Sequence, residues 1–189
     1  VRSDDCERFA EKAINLFKHF EVKPIIHGLA DHELNGFSDE ALFEGKDWKY
    51  LKESGNSSVA VMGGIPYAWD AYDLDLGHES PEREIVNDHL VLKFEIGELS
   101  VTASRESLEL TEFTKLALHN KILKVNGELS KQIEKKFGGC KTMFDAKCLM
   151  GEICDYGSAL YQLSNWAKEN VKFKGVKIDS SVYNFYKYQ

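Results

Sequence analysis

GELSVTASRESLEL, residues 97–110, changes its hydrophobic period part-way along and so sets the architecture on either side of it. From Glu98, apolar Leu99 and Val101 alternate with polar Ser100 and Thr102, the period of a half-buried strand. At Ser104 the pattern shifts. Ser104 or Thr102 can serve as N-cap, and Glu106 and Glu109 then complement the positive end of a helix dipole. The expectation is a strand that hands over to a long helix at Arg105. A cation opposes the dipole there, so Arg105 needs another reason for its position. That reason is either a carboxylate inside the domain or an anion such as a phosphate.

Downstream, Leu118, Ile122, Val125, Leu129, Ile133 and Phe137 recur at steps of 4, 3, 4, 4 and 4, which predicts one apolar helix face over more than five turns. Gly138-Gly139 stops it. Thr142–Tyr156 reads as a second amphipathic helix with Phe144, Cys148, Leu149 and Ile153 inward, and Leu160–Glu169 as a third. Val171–Ile178 reads as two short strands about Lys174-Gly175, and the aromatic tail Val182–Tyr188 as a docked strand.

Upstream, His89–Glu95 (HLVLKFE) is a strand expected to form an antiparallel hairpin with Leu99–Thr102. Ser58–Met62 (SVAVM) is a buried strand, and Gly63-Gly64 after it is a turn that also permits close backbone approach to a phosphate. Asp47–Ser54 fits a strand or a helical turn, and Pro24–Gly28 a short strand. The acidic stretch Ala68–Asn87 reads as an exposed hairpin tip or loop. An amphipathic helix over Ser3–Glu21 opens with an Asp4/Glu7 capping box and gathers Phe9, Ala13, Leu16, Phe17 and Phe20 on one face.

A net charge of -7 over 189 residues argues against a general nucleic-acid binder, and no run approaches the roughly 20 apolar residues of a membrane span. The first residue is Val1 rather than Met, which fits a piece of a longer protein. The four cysteines form no C-x-x-C pair and read as free thiols. Asp70, Asp73 and Asp75 alternate like a calcium loop but lack its later glycine and glutamate. Glu11 and Asn15 have the E-x-x-x-N spacing of a Bergerat-type nucleotide pocket, yet no D-x-G-x-G follows. His27, His32, His78, His89 and His119 are scattered, without a nucleophile elbow or paired carboxylates, which disfavours a self-contained enzyme.

The block from Phe94 through the Arg105 helix resembles the middle, or transducer, domain of GHKL ATPases such as gyrase B subunits, MutL and the ninety-kilodalton heat-shock chaperone. The carrying residues are Ser104-Arg105-Glu106-Ser107-Leu108 ahead of a long helix. Over roughly Phe9 to Lys168 the chain is more similar to the phage rIIA-like (rapid-lysis A protein) family. Val61-Met62-Gly63-Gly64-Ile65-Pro66-Tyr67, Ile96–Leu99 and Ser104–Leu108 follow one another here as they do there.

The resemblance implies an α+β fold like ribosomal protein S5 domain 2, a curved sheet with helices packed on one face, over residues 1–139. A helical extension with short terminal strands, 140–189, packs on it. It implies that Arg105 contacts the γ-phosphate of ATP, with Ser104, Thr102 and Glu109 around it, although Thr102 and Glu109 stand where the chaperone has amide side chains. ATP with Mg would be held mainly by an N-terminal nucleotide-binding domain of the same parent. Further implied are a homodimer, a host or phage protein partner, and the cytoplasm of an infected bacterium, peripheral to the inner membrane. A non-catalytic interaction module using the acidic loop and aromatic tail is the alternative.

Overall fold

The computed structural model describes residues 3–27, 40–52, 57–77, 80–86, 89–156, 158 and 160–178. Its elements are α1 (Ser3–Phe17), β1 (Ala41–Glu44), β2 (Trp48–Leu51), β3 (Ser58–Met62), β4 (Ile65–Trp69), α2 (Pro81–Ile85), β5 (Leu90–Phe94), α3 (Glu112–Lys136), α4 (Met143–Ile153), α5 (Ser164–Asn170), β6 (Lys172–Phe173) and β7 (Val176–Lys177). The tail Val182–Tyr188 and the Asp4/Glu7 capping box lie outside the residues or side chains described. Among the described residues no helix is long and apolar enough to cross a membrane.

The architecture is mixed α and β. A five-stranded sheet runs in the order β1-β2-β5-β3-β4, antiparallel except for the β3–β5 pair. Strand period 2 sorts the side chains. Leu90, Leu92 and Phe94 of β5, Trp48 and Tyr50 of β2 and Tyr67 and Trp69 of β4 enter the main core. Val91, Leu51 and Val61 form a second small cluster. The β5 strand is therefore buried on both faces, as a central strand must be. The expected hairpin of His89–Glu95 with Leu99–Thr102 does not form, because β2 and β3 occupy both edges of β5.

On the core face lies α3, and each apolar residue predicted along it is buried: Leu118, Ile122, Val125, Leu129 and Ile133, then Phe137 in the 3-10 turn that closes it. The segment after residue 139 adds Ala146, Met150, Ile153, Leu163 and Trp166 to this same core, and the Trp166 indole N–H donates to Asn126 Oδ1 at 2.9 Å. In α4, Ile153 is buried as expected, but Phe144 is 63% exposed, contrary to its expected inward place; Ala146 and Met150 complete the buried face. Phe144 sits two residues past the Thr142 N-cap, so the capping geometry sets the helix phase. The β6–β7 hairpin turns at Lys174-Gly175 as expected.

Contacts join α1 to the edge strand β4, whose Tyr67 and Trp69 enter the main core. Ala10 and Ala13 make the buried stripe of α1, whereas Phe9 is 70% exposed. Of the strand expected over Pro24–Gly28, residues 24–27 carry no strand and Gly28 lies outside the described residues. The acidic stretch, in its described residues 68–77 and 80–86, is more ordered than a loop tip. It contributes Trp69, Ala71, Ile85 and Val86 to the core, and Ser80 Oγ caps α2. Asp70, Asp73 and Asp75 serve this order: Asp70 Oδ1 accepts the Tyr72 N–H, Asp73 Oδ2 accepts the Asp70 N–H, and Asp75 pairs with Lys115.

Leu129→Ala, at a fully buried position mid-way along α3, should cost about 2–5 kcal/mol in urea unfolding, whereas Leu123→Ala, 45% exposed on the same helix, should cost under about 1 kcal/mol.

Candidate functional site

Arg105 lies at the tip of a narrow antiparallel ribbon. Val101 and Leu108 form an isolated bridge, the Glu109 N–H donates to Ser100 O at 2.9 Å, and the Thr102 N–H donates to Ser107 O at 3.0 Å. The Arg105 N–H closes the turn onto Thr102 O at 2.8 Å. Thr102 Oγ1 lies 3.2 Å from Ser104 Oγ and 3.3 Å from Ser107 Oγ, so these hydroxyls fasten the turn from within.

The helix begins later than the sequence suggests. Thr111 is the N-cap of α3, its Oγ1 accepting the Thr114 N–H at 3.3 Å, with Glu112 as the first-turn acid. Neither Ser104 nor Thr102 caps it, because both hydroxyls are spent on the ribbon turn. Arg105 is therefore not at the helix N-terminus, and the dipole does not join it in one anion site. The ribbon is tied to the helix by a net that sequence reasoning missed. The Ser100 N–H donates to the fully buried Thr114 Oγ1 at 3.0 Å, which lies 3.2 Å from Thr111 Oγ1. The available signal was the alternation Leu108-Glu109-Leu110-Thr111, a second strand arm mirroring Leu99–Thr102.

Arg105 itself has φ +60°, the left-handed region that costs a non-glycine residue about 1–2 kcal/mol. Its side chain is exposed and makes no ion pair among the described residues, so the internal carboxylate partner is not found there. Ser104 and Glu109 are exposed and Thr102 is half-buried, with Glu109 down the ribbon opposite Ser100. This arrangement fits a single guanidinium offered outward to a phosphate that another body holds. It does not enclose a nucleotide.

A separate cleft of about 760 Å³ opens where β3 and β5 end, between the Gly63-Gly64 turn, the Lys46-Asp47 turn, the end of α1 and Lys121 of α3. Gly63 and Gly64 have φ +60° and +82°. A Cβ on Gly64 would stand 3.1 Å from the Phe20 ring, and one on Gly63 would stand 3.3 Å from Ile96 Cγ1. Lys124 Nζ donates to Asp47 Oδ2 at 2.9 Å, while Lys121 Nζ lies 3.9 Å from the same oxygen and 4.6 Å from the Phe94 ring centroid. The hydrogen bond from Lys124 is the largest influence and holds the Asp47 carboxyl below its ordinary 3.8; burial opposes it, and the charges of Lys121, Lys124 and Lys46 add to the lowering. Arg105, Ser104, Thr102 and Glu109 do not line this cleft.

Among the described residues no group of three or more His, Cys, Asp or Glu is placed to hold a metal ion, and the four cysteines are free thiols. Burial raises the Cys154 thiol, and burial followed by the Asp145 charge raises that of Cys140. Comparison with protein families, with curated proteins and with solved structures finds no match to this chain.

Two outcomes follow for these residues. Arg105→Gly relieves the left-handed backbone and should raise stability in urea unfolding by about 1 kcal/mol. Because the Asp47 carboxyl is held low in the folded state, its contribution is complete above the ordinary carboxylate range and is lost as pH falls through the depressed value. The stability advantage of wild type over Asp47→Asn should thus be full at about pH 6 and shrink below about pH 4, read as the gap between their urea midpoints.

Proposed function

We propose that the chain is the middle, or transducer, module of a GHKL-type ATPase of the phage rIIA-like kind, with Arg105 as its phosphate-contacting arginine. One observation carries the reading beyond the sequence resemblance: the Arg105 guanidinium stands exposed at a ribbon tip, without a carboxylate partner among the described residues. The strained backbone at this residue is hydrogen-bonded in place by its neighbours rather than relieved. In this reading ATP with Mg is held by a nucleotide-binding domain of the same parent, and ATP supplies the γ-phosphate whose presence the module senses. Arg105 offers directional, charge-assisted bonds to that phosphate. It thereby favours the closed arrangement of the two domains and stabilises charge on the transferring group. The hydroxyls of Thr102, Ser104 and Ser107 hold the turn, and Thr114 anchors the ribbon on α3, so closure would be transmitted to the helix directly.

The S5 domain 2-like fold belongs to the same proposal, supported by the mixed sheet with α3 across its core face. So do homodimerisation, a host or phage protein partner, and a working place in the infected cytoplasm beside the inner membrane. The second reading, a non-catalytic interaction module, draws support from Phe113, Leu116 and Leu123, which α3 leaves 45–59% exposed.

ATPase turnover and nucleotide affinity of the full-length parent, wild type against Arg105→Ala, separate the two. Affinity that holds while turnover falls by about tenfold or more supports the phosphate contact. Unchanged turnover, with partner capture lost on Phe113→Asp, overturns it in favour of the interaction module.

A further inference from the structure

The cleft at the ends of β3 and β5 has the makings of a ligand site independent of Arg105. Its volume, about 760 Å³, lies in the range of small-molecule pockets. It sits beyond the carboxyl ends of two adjacent parallel strands, in register at Met62 and Phe94, the edge at which open sheets with parallel strands commonly bind ligands. Its apolar wall is built deliberately. Phe20 and Ile96 flank the Gly63-Gly64 turn at distances that any Cβ there would encroach upon, and the left-handed backbone of both glycines independently demands glycine. Ile96 is 84% exposed, an apolar surface facing open volume rather than core.

The polar end of the cleft is Lys121. Its side chain is only 15% exposed, and its ammonium has a cation–π contact with Phe94 and a loose 3.9 Å approach to Asp47. Lys124 takes the same Asp47 oxygen at 2.9 Å, so the carboxylate is committed elsewhere and Lys121 keeps donors to offer. Lys46 and Lys93 also line the cleft and form no ion pair among the described residues. Opposing charge limits what can enter. Glu21, Glu95 and Glu98 line the same space; the Glu95 N–H donates to Glu98 Oε2 at 2.8 Å, and the other carboxylates would repel a polyanion.

We propose that this cleft binds a small apolar monocarboxylate, its carboxylate on Lys121 and its flat apolar body against Phe20 and Ile96 across the glycine turn. A neutral ligand would leave the withdrawn ammonium poorly compensated, and a polyphosphate would meet the three glutamates.

The test is a titration of the ¹⁵N-labelled chain with 2-naphthoate, followed through backbone amide shifts. Saturable shifts are expected at Gly63, Gly64 and Glu95. Lys121→Met, which keeps the aliphatic stem, should weaken binding by about tenfold or more, and Lys121→Arg should retain it. Ile96→Asp, at an exposed position that the fold tolerates, should weaken it as well. The neutral 2-naphthamide should bind about tenfold more weakly, and ATP should not compete. Equal binding of the amide, preference for ATP, indifference to Lys121→Met, or no saturable shift would each overturn the proposal. Arg105→Ala should leave the titration unchanged, so this result stands or falls apart from the transducer reading.

Discussion

The Trp48 indole N–H donates to Glu128 Oε2 at 2.6 Å, joining the sheet to its long helix beside the buried apolar stripe that seats one on the other. Trp48 is 1% exposed, so its N–H must find an acceptor inside the protein or carry the cost of burial unpaired. A Cβ on Gly45 would stand 2.1 Å from the indole nitrogen, which leaves glycine as the one residue that admits the ring. Around this bond, one flank of α3 grips the β1–β2 turn at successive helical steps. Lys121 and Lys124 reach Asp47, Glu128 takes Trp48, and the Gln132 amide donates to Glu44 O at 2.8 Å. The charged contacts are partly exposed and individually weak, but their common spacing fixes the rotation and register of the helix.

Because that flank is fixed, the positions of both candidate sites follow from it. The rotation that brings Glu128 to Trp48 also brings Lys121 over Phe94 and into the cleft. It also turns Thr114 inward, where its hydroxyl receives the Ser100 N–H and holds the Arg105 ribbon on the first turn of the helix. One ammonium thus has two duties: Lys121 helps to seat the helix and remains the most withdrawn cation of the cleft. The Lys121→Met change keeps the stem that packs and removes only the charge.

The long helix was legible because six apolar residues at helical spacing have few alternatives to burial against a sheet. The buried strand SVAVM and the β6–β7 turn were legible for similarly local reasons. The start of the helix was not. Ser104 and Thr102 carry the hydroxyls that N-caps prefer, and only the continuing alternation at Leu108 and Leu110 shows that the chain first folds back on itself. The pairing of β5 was lost for another reason. A hairpin with Leu99–Thr102 was the nearest partner in sequence, and its actual partners, β2 and β3, are set by tertiary packing. HLVLKF is nevertheless apolar on both faces through Val91, which is the mark of a central strand. From sequence alone, Gly63-Gly64 fits a turn or a close backbone approach. It is a turn, and the bodies packed against it are the Phe20 ring and Ile96.

The strand order carries a consequence for how the chain is made. In β1-β2-β5-β3-β4 the central strand is the last of the five to leave the ribosome. Until Leu90–Phe94 emerges, the hairpins β1–β2 and β3–β4 are separate ribbons, each with an inner edge of unpaired backbone. Insertion of β5 joins them, and α3 then follows directly to cover the joined face. The nascent chain is accordingly most prone to aggregation in the interval before β5 inserts, and a chaperone that shields strand edges would act on that interval.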